Sequence, residues 1–132
     1  ILGGQFFNNW SEKKHVVKPF EIPAHWTRFR CMDWGSYRPY ACYWCAVDYD
    51  GNIYVYRELY GYGGKANVGT KESSRTVAHK IAKAEAQERK LIEYGVLDNA
   101  CWNKVDTGAP SIAEEINDVL LDAGCVPFNQ SI

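Results

Sequence analysis

The chain has 132 residues, 46% of them hydrophobic and 23% charged, with a formal net charge of −1. That length supports one domain with its own core, and the near-neutral charge announces no general polyanion-binding surface, so any nucleic-acid role must come from local charge. No run of about 18 apolar residues marks a membrane span, and no basic-then-apolar leader marks secretion.

The five cysteines are odd in number and irregularly spaced, which fits reduced thiols inside a cell better than a disulfide framework. The chain opens on Ile1 and its only methionine is Met32, so it is expected to be a piece of a longer protein. Residues 1–25, with Gly3-Gly4, Asn8-Asn9, Pro19 and Pro23, read as an irregular connector from an upstream domain. "HWTRFRCMDWG" predicts a first strand ending at Gly35. Pro39 then opens "YACYWCAV", an almost continuously apolar run suited to a central strand. Asp50-Gly51 is a hairpin signal. "IYVYRELY" predicts a third strand, with Ile53, Val55 and Leu59 on one face and Tyr54, Tyr56, Glu58 and Tyr60 on the other.

Residues 61–70, "GYGGKANVGT", form a Gly-rich loop, read as mobile. A long helix is predicted over about residues 71–93, where Val77, Ile81, Ala84 and Leu91 recur at helical spacing beside Ala78, Ala82 and Ile92. Gly95 is expected to stop it. "YGVLD" predicts a short strand ending in Asp98. Ser111 and Glu114 then form a capping-box signature after Pro110, followed by the apolar stripe Ile112, Ile116, Val119 and Leu120, with Gly124 closing the helix. "CVPF" starts another strand. The order β-β-β-α-β-α predicts an α/β fold, a mixed sheet with three antiparallel strands followed by helix-strand-helix crossovers.

Asp33 breaks the first strand's pattern, and Asp98 ends the fourth. If those strands are adjacent and parallel, the two carboxylates lie side by side, and like charges that close call for a cation between them. Carboxylate oxygens with water suit Mg²⁺ or Mn²⁺, and two such ions can activate water and stabilise the leaving oxygen of a phosphodiester. The plainer alternative is that both acids end strands and cap turns. Glu58 and Asp106 are further candidate ligands, weighed against solvated surface roles, and Asp118 and Asp122 read as surface acids. Asp48 and Asp50 are explained by turn chemistry. Cys42 and Cys45 form C-x-x-C, but an odd offset within a strand points them to opposite faces, and no second pair completes a zinc set. His15, His25 and His79 are scattered, with no nucleophile-base pairing. Arg38, Lys65 and Lys71 are candidate DNA-phosphate contacts, with ordinary surface bases as the alternative. The G-x-x-x-x-G-K-[ST] pattern is absent, so no ATP site is expected in these residues.

"FEIPAHWTRFRCMDWGSYRPYACYWCAVDYDGNIYVYRELY", "VLDNACW" and "GAPSIAEEINDVLLDAG" together resemble the nuclease domain of the large terminase subunit of tailed bacteriophages, from about Phe20 to Phe128. The resemblance matches Asp33 and Asp98 to that family's first two catalytic aspartates. It implies an RNase H-like fold, here incomplete at its C-terminus, with residues 1–25 joining an upstream ATPase motor and 26–132 forming the nuclease domain. It also implies metal-dependent cutting of concatemeric viral double-stranded DNA during genome packaging, in the cytoplasm of the bacterial host. The implied partners are double-stranded DNA, the ATPase domain of the same polypeptide, a small terminase subunit and a portal protein. Asn99 stands where the family often has Pro, and the family's third acid lies beyond Ile132, so no residue here is assigned to it. Another RNase H-like nuclease, of resolvase or transposase type, and a non-catalytic DNA- or partner-docking module are the alternative readings.

Overall fold

The computed structural model describes residues 6–88 and 92–130. The described residues before β1 carry one helical turn, α1 (Glu12–His15), where the sequence predicts an irregular connector. Its last residues are held by rings: Phe20 lies 5.8 Å from Trp26 and 5.4 Å from Tyr54, and Trp26 stacks 5.3 Å from Tyr54.

The three aromatic-rich runs form an antiparallel meander, β1 (Thr27–Asp33), β2 (Ala41–Val47) and β3 (Ile53–Tyr60). Asp48 builds the β2–β3 turn by accepting from the backbone N–H groups of Asp50 and Asn52, and Gly51 takes φ +83°. α2 (Ser74–Glu85) crosses to β4 (Tyr94–Leu97), and a 3₁₀ turn (Asn99–Trp102) and α3 (Ile112–Asp122) lead to β5 (Phe128–Gln130). The sheet order is β3-β2-β1-β4-β5, with β4 parallel to both β1 and β5. This is the predicted mixed α/β architecture.

The pleat sends Arg28, Arg30 and Met32 to one face of β1, opposite Ala46, Trp44 and Cys42 of β2. Both long helices cover that face. The core joins Met32, Trp44, Leu97 and Phe128 to Val77 and Ile81 of α2 and to Ile116 and Leu120 of α3. No described helix covers the other face, which carries Phe29, Cys31, Tyr43, Val55 and Val96.

Two predicted features are corrected. In β3, Trp44 opposes Arg57 but Cys45 opposes Val55, so Tyr56 is an extra residue in a bulge. The alternation changes phase there. Leu59 leaves the face of Ile53 and Val55 and joins Tyr54, Tyr56 and Arg57 towards the helices, while Glu58 and Tyr60 move to the open face. α2 is also shorter than predicted. It begins only after Lys71, whose φ of +61° is non-helical, and Ser73 caps it by accepting from the Thr76 N–H. At its other end Arg57 Nη1 takes the Ala84 carbonyl at 2.6 Å, and Glu85 and Glu88 turn into the sheet. Leu91 lies outside the described residues, and Ile92 is buried beyond the helix.

Gly95 is therefore not a helix stop but a strand residue opposite Arg30. Arg30 is fully buried; its Nε bonds Glu85 Oε1 at 2.6 Å, its Nη2 donates to the Val126 carbonyl, and its guanidinium stacks 4.3 Å from the Phe128 ring centre. Trp44 Nε1 donates to the same Glu85 oxygen at 3.0 Å, and Arg28 pairs with Glu88 at 2.8 Å. A Cβ at Gly95 would stand 2.1 Å from Arg30 Nη1.

Candidate active site

β1 and β4 run side by side in parallel with Met32 opposite Leu97. The next residue of each is an aspartate, so Asp33 and Asp98 occupy adjacent register positions at the same end of the sheet. Both belong to the open face, two residues beyond Cys31 and Val96 respectively. They line one shallow hollow of about 410 Å³ with Cys31, Met32, Ala41, Tyr43 and Val96. A larger groove of about 990 Å³ lies between the connector and the β3 edge. Its lining is mostly apolar and basic and holds no carboxylate.

The 3₁₀ turn follows Asp98 directly. The Cys101 N–H donates to the Asp98 carbonyl at 3.1 Å, closing an i, i+3 turn, and the Cys101 side chain is buried in the core. Burial, then the charges of Asp98 and Asp33, push the Cys101 thiol up to about 11.

Asp98 stands at the N-cap of the turn, but its side chain makes no capping hydrogen bond. Neither Asp33 nor Asp98 has a side-chain hydrogen bond or salt bridge to another described residue, and both are exposed. The capping role weighed for Asp98 therefore finds no bond to support it. Two unpartnered hard oxygen donors on rigid strand ends suit a hard divalent cation. Among the described residues no group of three His, Cys, Asp or Glu side chains is assembled for a metal, so the protein's contribution here is a pair.

The other candidates fall elsewhere. Glu58 shares the open face, because of the bulge, but β3 pairs with β2 rather than β1, leaving Glu58 two strands, about 10 Å, from β1. It instead faces Tyr43, whose hydroxyl is pushed up by burial and then by the Glu58 charge and hydrogen bond. Asp106 is exposed in the loop before α3 and does not line the hollow. Asp118 pairs with Arg75 at 3.5 Å on the surface, and Asp122 is exposed. Cys42 and Cys45 point to opposite faces, as their spacing predicts.

Arg38 and Lys71 are carried on two interlocked segments, and Lys65 lies in the same Gly-rich loop as Asn67 and Gly69. The Gly-rich loop is bound to the segment following β1: Gly69 N–H donates to Tyr37 O at 2.7 Å, Lys71 N–H to Ser36 O at 3.0 Å, and Arg38 Nη1 to Asn67 O at 3.4 Å. Gly69 is required there, since a Cβ would meet Ser36 O at 2.1 Å. Sequence reasoning missed three neighbours of the site. Trp34, directly after Asp33, stacks parallel to buried Tyr40 at 6.3 Å. Cys31 lines the hollow with its thiol lowered to about 7, chiefly by a hydrogen bond from Cys45. Cys101 had one signal, its three-residue spacing from Asp98.

An antiparallel meander extended by two parallel strands is an RNase H-like arrangement. Among solved structures, the chain is similar to the large terminase of a thermophilic bacteriophage, in two crystal forms, with TM-scores of 0.62 and 0.64 at 17% and 16% identity. It is also similar to the P22 large terminase nuclease domain, with a TM-score of 0.57 at 18% identity. These matches cover 92–93% of this chain, but only 26–28% of the thermophilic phage's terminase and 54% of the P22 domain. No protein-family model matches the chain, and no curated protein matches its sequence.

Proposed function

We propose that the chain is a metal-dependent endonuclease domain of large-terminase type, which cuts concatemeric viral double-stranded DNA during genome packaging. The observation that carries this reading is the unpartnered pair Asp33 and Asp98 at adjacent strand ends, in a fold shared with terminase nucleases. Asp33 and Asp98 would hold Mg²⁺ or Mn²⁺. When bound, the ions would supply water activation and charge stabilisation at the leaving oxygen. The chain's own part is positioning: the two strands would fix the carboxylates, the shallow open hollow would admit a phosphodiester, and Arg38, Lys65 and Lys71, from the segment after β1 and the loop bonded to it, would be the phosphate contacts. An ATPase domain of the same polypeptide, a small terminase subunit and a portal protein are the partners this role implies, in the host cytoplasm. A motor attached to the domain would raise the effective DNA concentration for this near-neutral unit.

Plasmid nicking and linearisation in Mn²⁺, Mg²⁺ or EDTA tests the reading on the chain and on Asp33→Asn and Asp98→Asn. Cutting that needs metal and disappears in both variants is expected. Variants that cut as well as the parent, or cutting that persists in EDTA, would sink the two-acid assignment. A non-catalytic docking module is the second reading, favoured by the lack of a third assembled ligand among the described residues. A folded chain that binds DNA but cuts in no metal would select it.

A further inference from the structure

Lys71 has a backbone that lysine does not favour. Its φ of +61° lies in the left-handed region, where non-glycine residues are uncommon and Asn, Asp and His are the usual exceptions. The second such residue in the loop, Asn67 at +60°, is one of those exceptions. Glycine would fit position 71 without steric cost, and the loop already places glycines at positions 61, 63, 64 and 69. Local conformation therefore does not account for lysine at 71. Backbone strain at a defined point is a sign of a side chain with work to do.

The surroundings show what that work is. The Lys71 N–H is anchored on Ser36 O, and the Tyr37 carbonyl on the Gly69 N–H, so both residues project from one interlocked platform. Lys71 Nζ lies 5.8 Å from the centre of the Tyr37 ring, and Tyr37 is 77% exposed. No salt bridge neutralises Arg38, Lys65 or Lys71 among the described residues, whereas Lys80 next along pairs with Glu72 at 2.6 Å. Ser36 is three residues from Asp33, at most about 10 Å of chain. That is some three phosphates of axial rise along a DNA strand at about 3.4 Å each.

The geometry points to a preformed DNA clamp beside the acid pair, in which the Lys71 ammonium takes a backbone phosphate of duplex DNA and the exposed Tyr37 ring packs on the same strand's sugars and base edges. The clamp rests on the nuclease reading for its substrate, and deepens it by assigning positioning residues. It predicts a separation of function from stability: lysine is retained at position 71 for binding, at a cost in backbone strain that glycine would remove.

The test is fluorescence anisotropy of a labelled duplex in EDTA, as a function of salt, with urea unfolding of each protein in parallel. Lys71→Gly is expected to lower the salt slope by about 0.9, the value of one phosphate, and to weaken binding on the order of eightfold at 0.1 M salt. Its unfolding midpoint should be no lower than that of Lys71→Ala, which keeps the strain. Tyr37→Ala should weaken binding with the slope unchanged, and Tyr37→Phe should restore it. An unchanged slope in Lys71→Gly, or a parent chain that does not bind duplex, overturns the clamp. Asp33→Asn separates the two proposals: in EDTA, with one negative charge fewer near the phosphates, it should bind no more weakly than the parent and lose the same salt slope on Lys71→Gly, while failing in cutting. A parent that binds through Lys71 yet cuts in no metal sinks the nuclease reading alone.

Discussion

Arg30 carries a full charge into the middle of the sheet's helix face, where an unpaired guanidinium would be strongly disfavoured. Glu85, the Val126 carbonyl and the Phe128 ring together provide its partners, and Gly95 provides the space. Arg57, by contrast, approaches Glu88 Oε1 at 3.0 Å without hydrogen-bond alignment, so it acts on Glu88 mainly through charge. The role of Gly95 predicts an unusual sign for Gly95→Ala. In an ordinary strand interior the change is favourable by about 0.5–1 kcal/mol. Here the new Cβ meets Arg30 Nη1 at 2.1 Å and Phe128 Cδ1 at 3.0 Å. The guanidinium is a flexible side chain's end, but its other contacts hold it, so it can move only by giving up buried bonds. Destabilisation of about 1–3 kcal/mol is expected, the usual cost of overpacking, read as a lower urea midpoint at unchanged slope. A raised midpoint would show that Arg30 moves freely.

Among the elements, α3 has its start written in the sequence most completely. Ser111 accepts from the Glu114 N–H at 3.1 Å, and the Glu114 carboxylate accepts from the Ser111 N–H at 2.7 Å. That backbone bond, with Lys104 next, holds the Glu114 carboxyl below its ordinary value of 4.5. A carboxyl lowered in the folded state stabilises the fold fully above the unfolded value, and the contribution is lost as pH falls through the folded one. The advantage of the parent over Glu114→Gln in urea midpoint should therefore be constant near pH 6 and shrink towards pH 3. A gap that widens on acidification would reverse the assignment. Strands were legible for a related reason: Asp48, Asp50 and Gly51 punctuate the meander with local turn chemistry. α2 was not, because its true end is set by Arg57 and Arg30 reaching from strands far away in the chain. No local pattern announces that reach. The bulge at Tyr56 was equally invisible, since strict alternation is the only rule a strand sequence offers, and it decided the face of Glu58. At the site, Asp33 and Asp98 were legible because each interrupts or ends an apolar run. Arg38, Lys65 and Lys71 were legible as bases, but the platform joining Lys71 to Tyr37 was not, because its assembly depends on backbone bonds between two loops.

At the scale of the whole molecule, the division of the sheet sets up the candidate chemistry. All the core residues that bind helices to sheet lie on one face, so the other face can carry charge without breaking the core. Asp33 and Asp98 use that freedom: they are side by side and unpartnered, which favours function over stability. A bound cation should convert that repulsion into attraction, and anything that binds only the folded state stabilises it by mass action. Mn²⁺ at about a hundred times its dissociation constant contributes about 2.7 kcal/mol, which for a domain of this size raises the unfolding temperature on the order of 10 °C. EDTA should reverse the rise. Asp98→Asn should behave oppositely in two respects: without metal it should unfold at a higher temperature than the parent, having lost one of two like charges, and with Mn²⁺ it should gain little. Differential scanning fluorimetry with and without Mn²⁺ reads both effects without any need for DNA cutting. A parent indifferent to Mn²⁺, or an Asp98→Asn variant that keeps the full shift, would mean that the ion is held elsewhere or not at all.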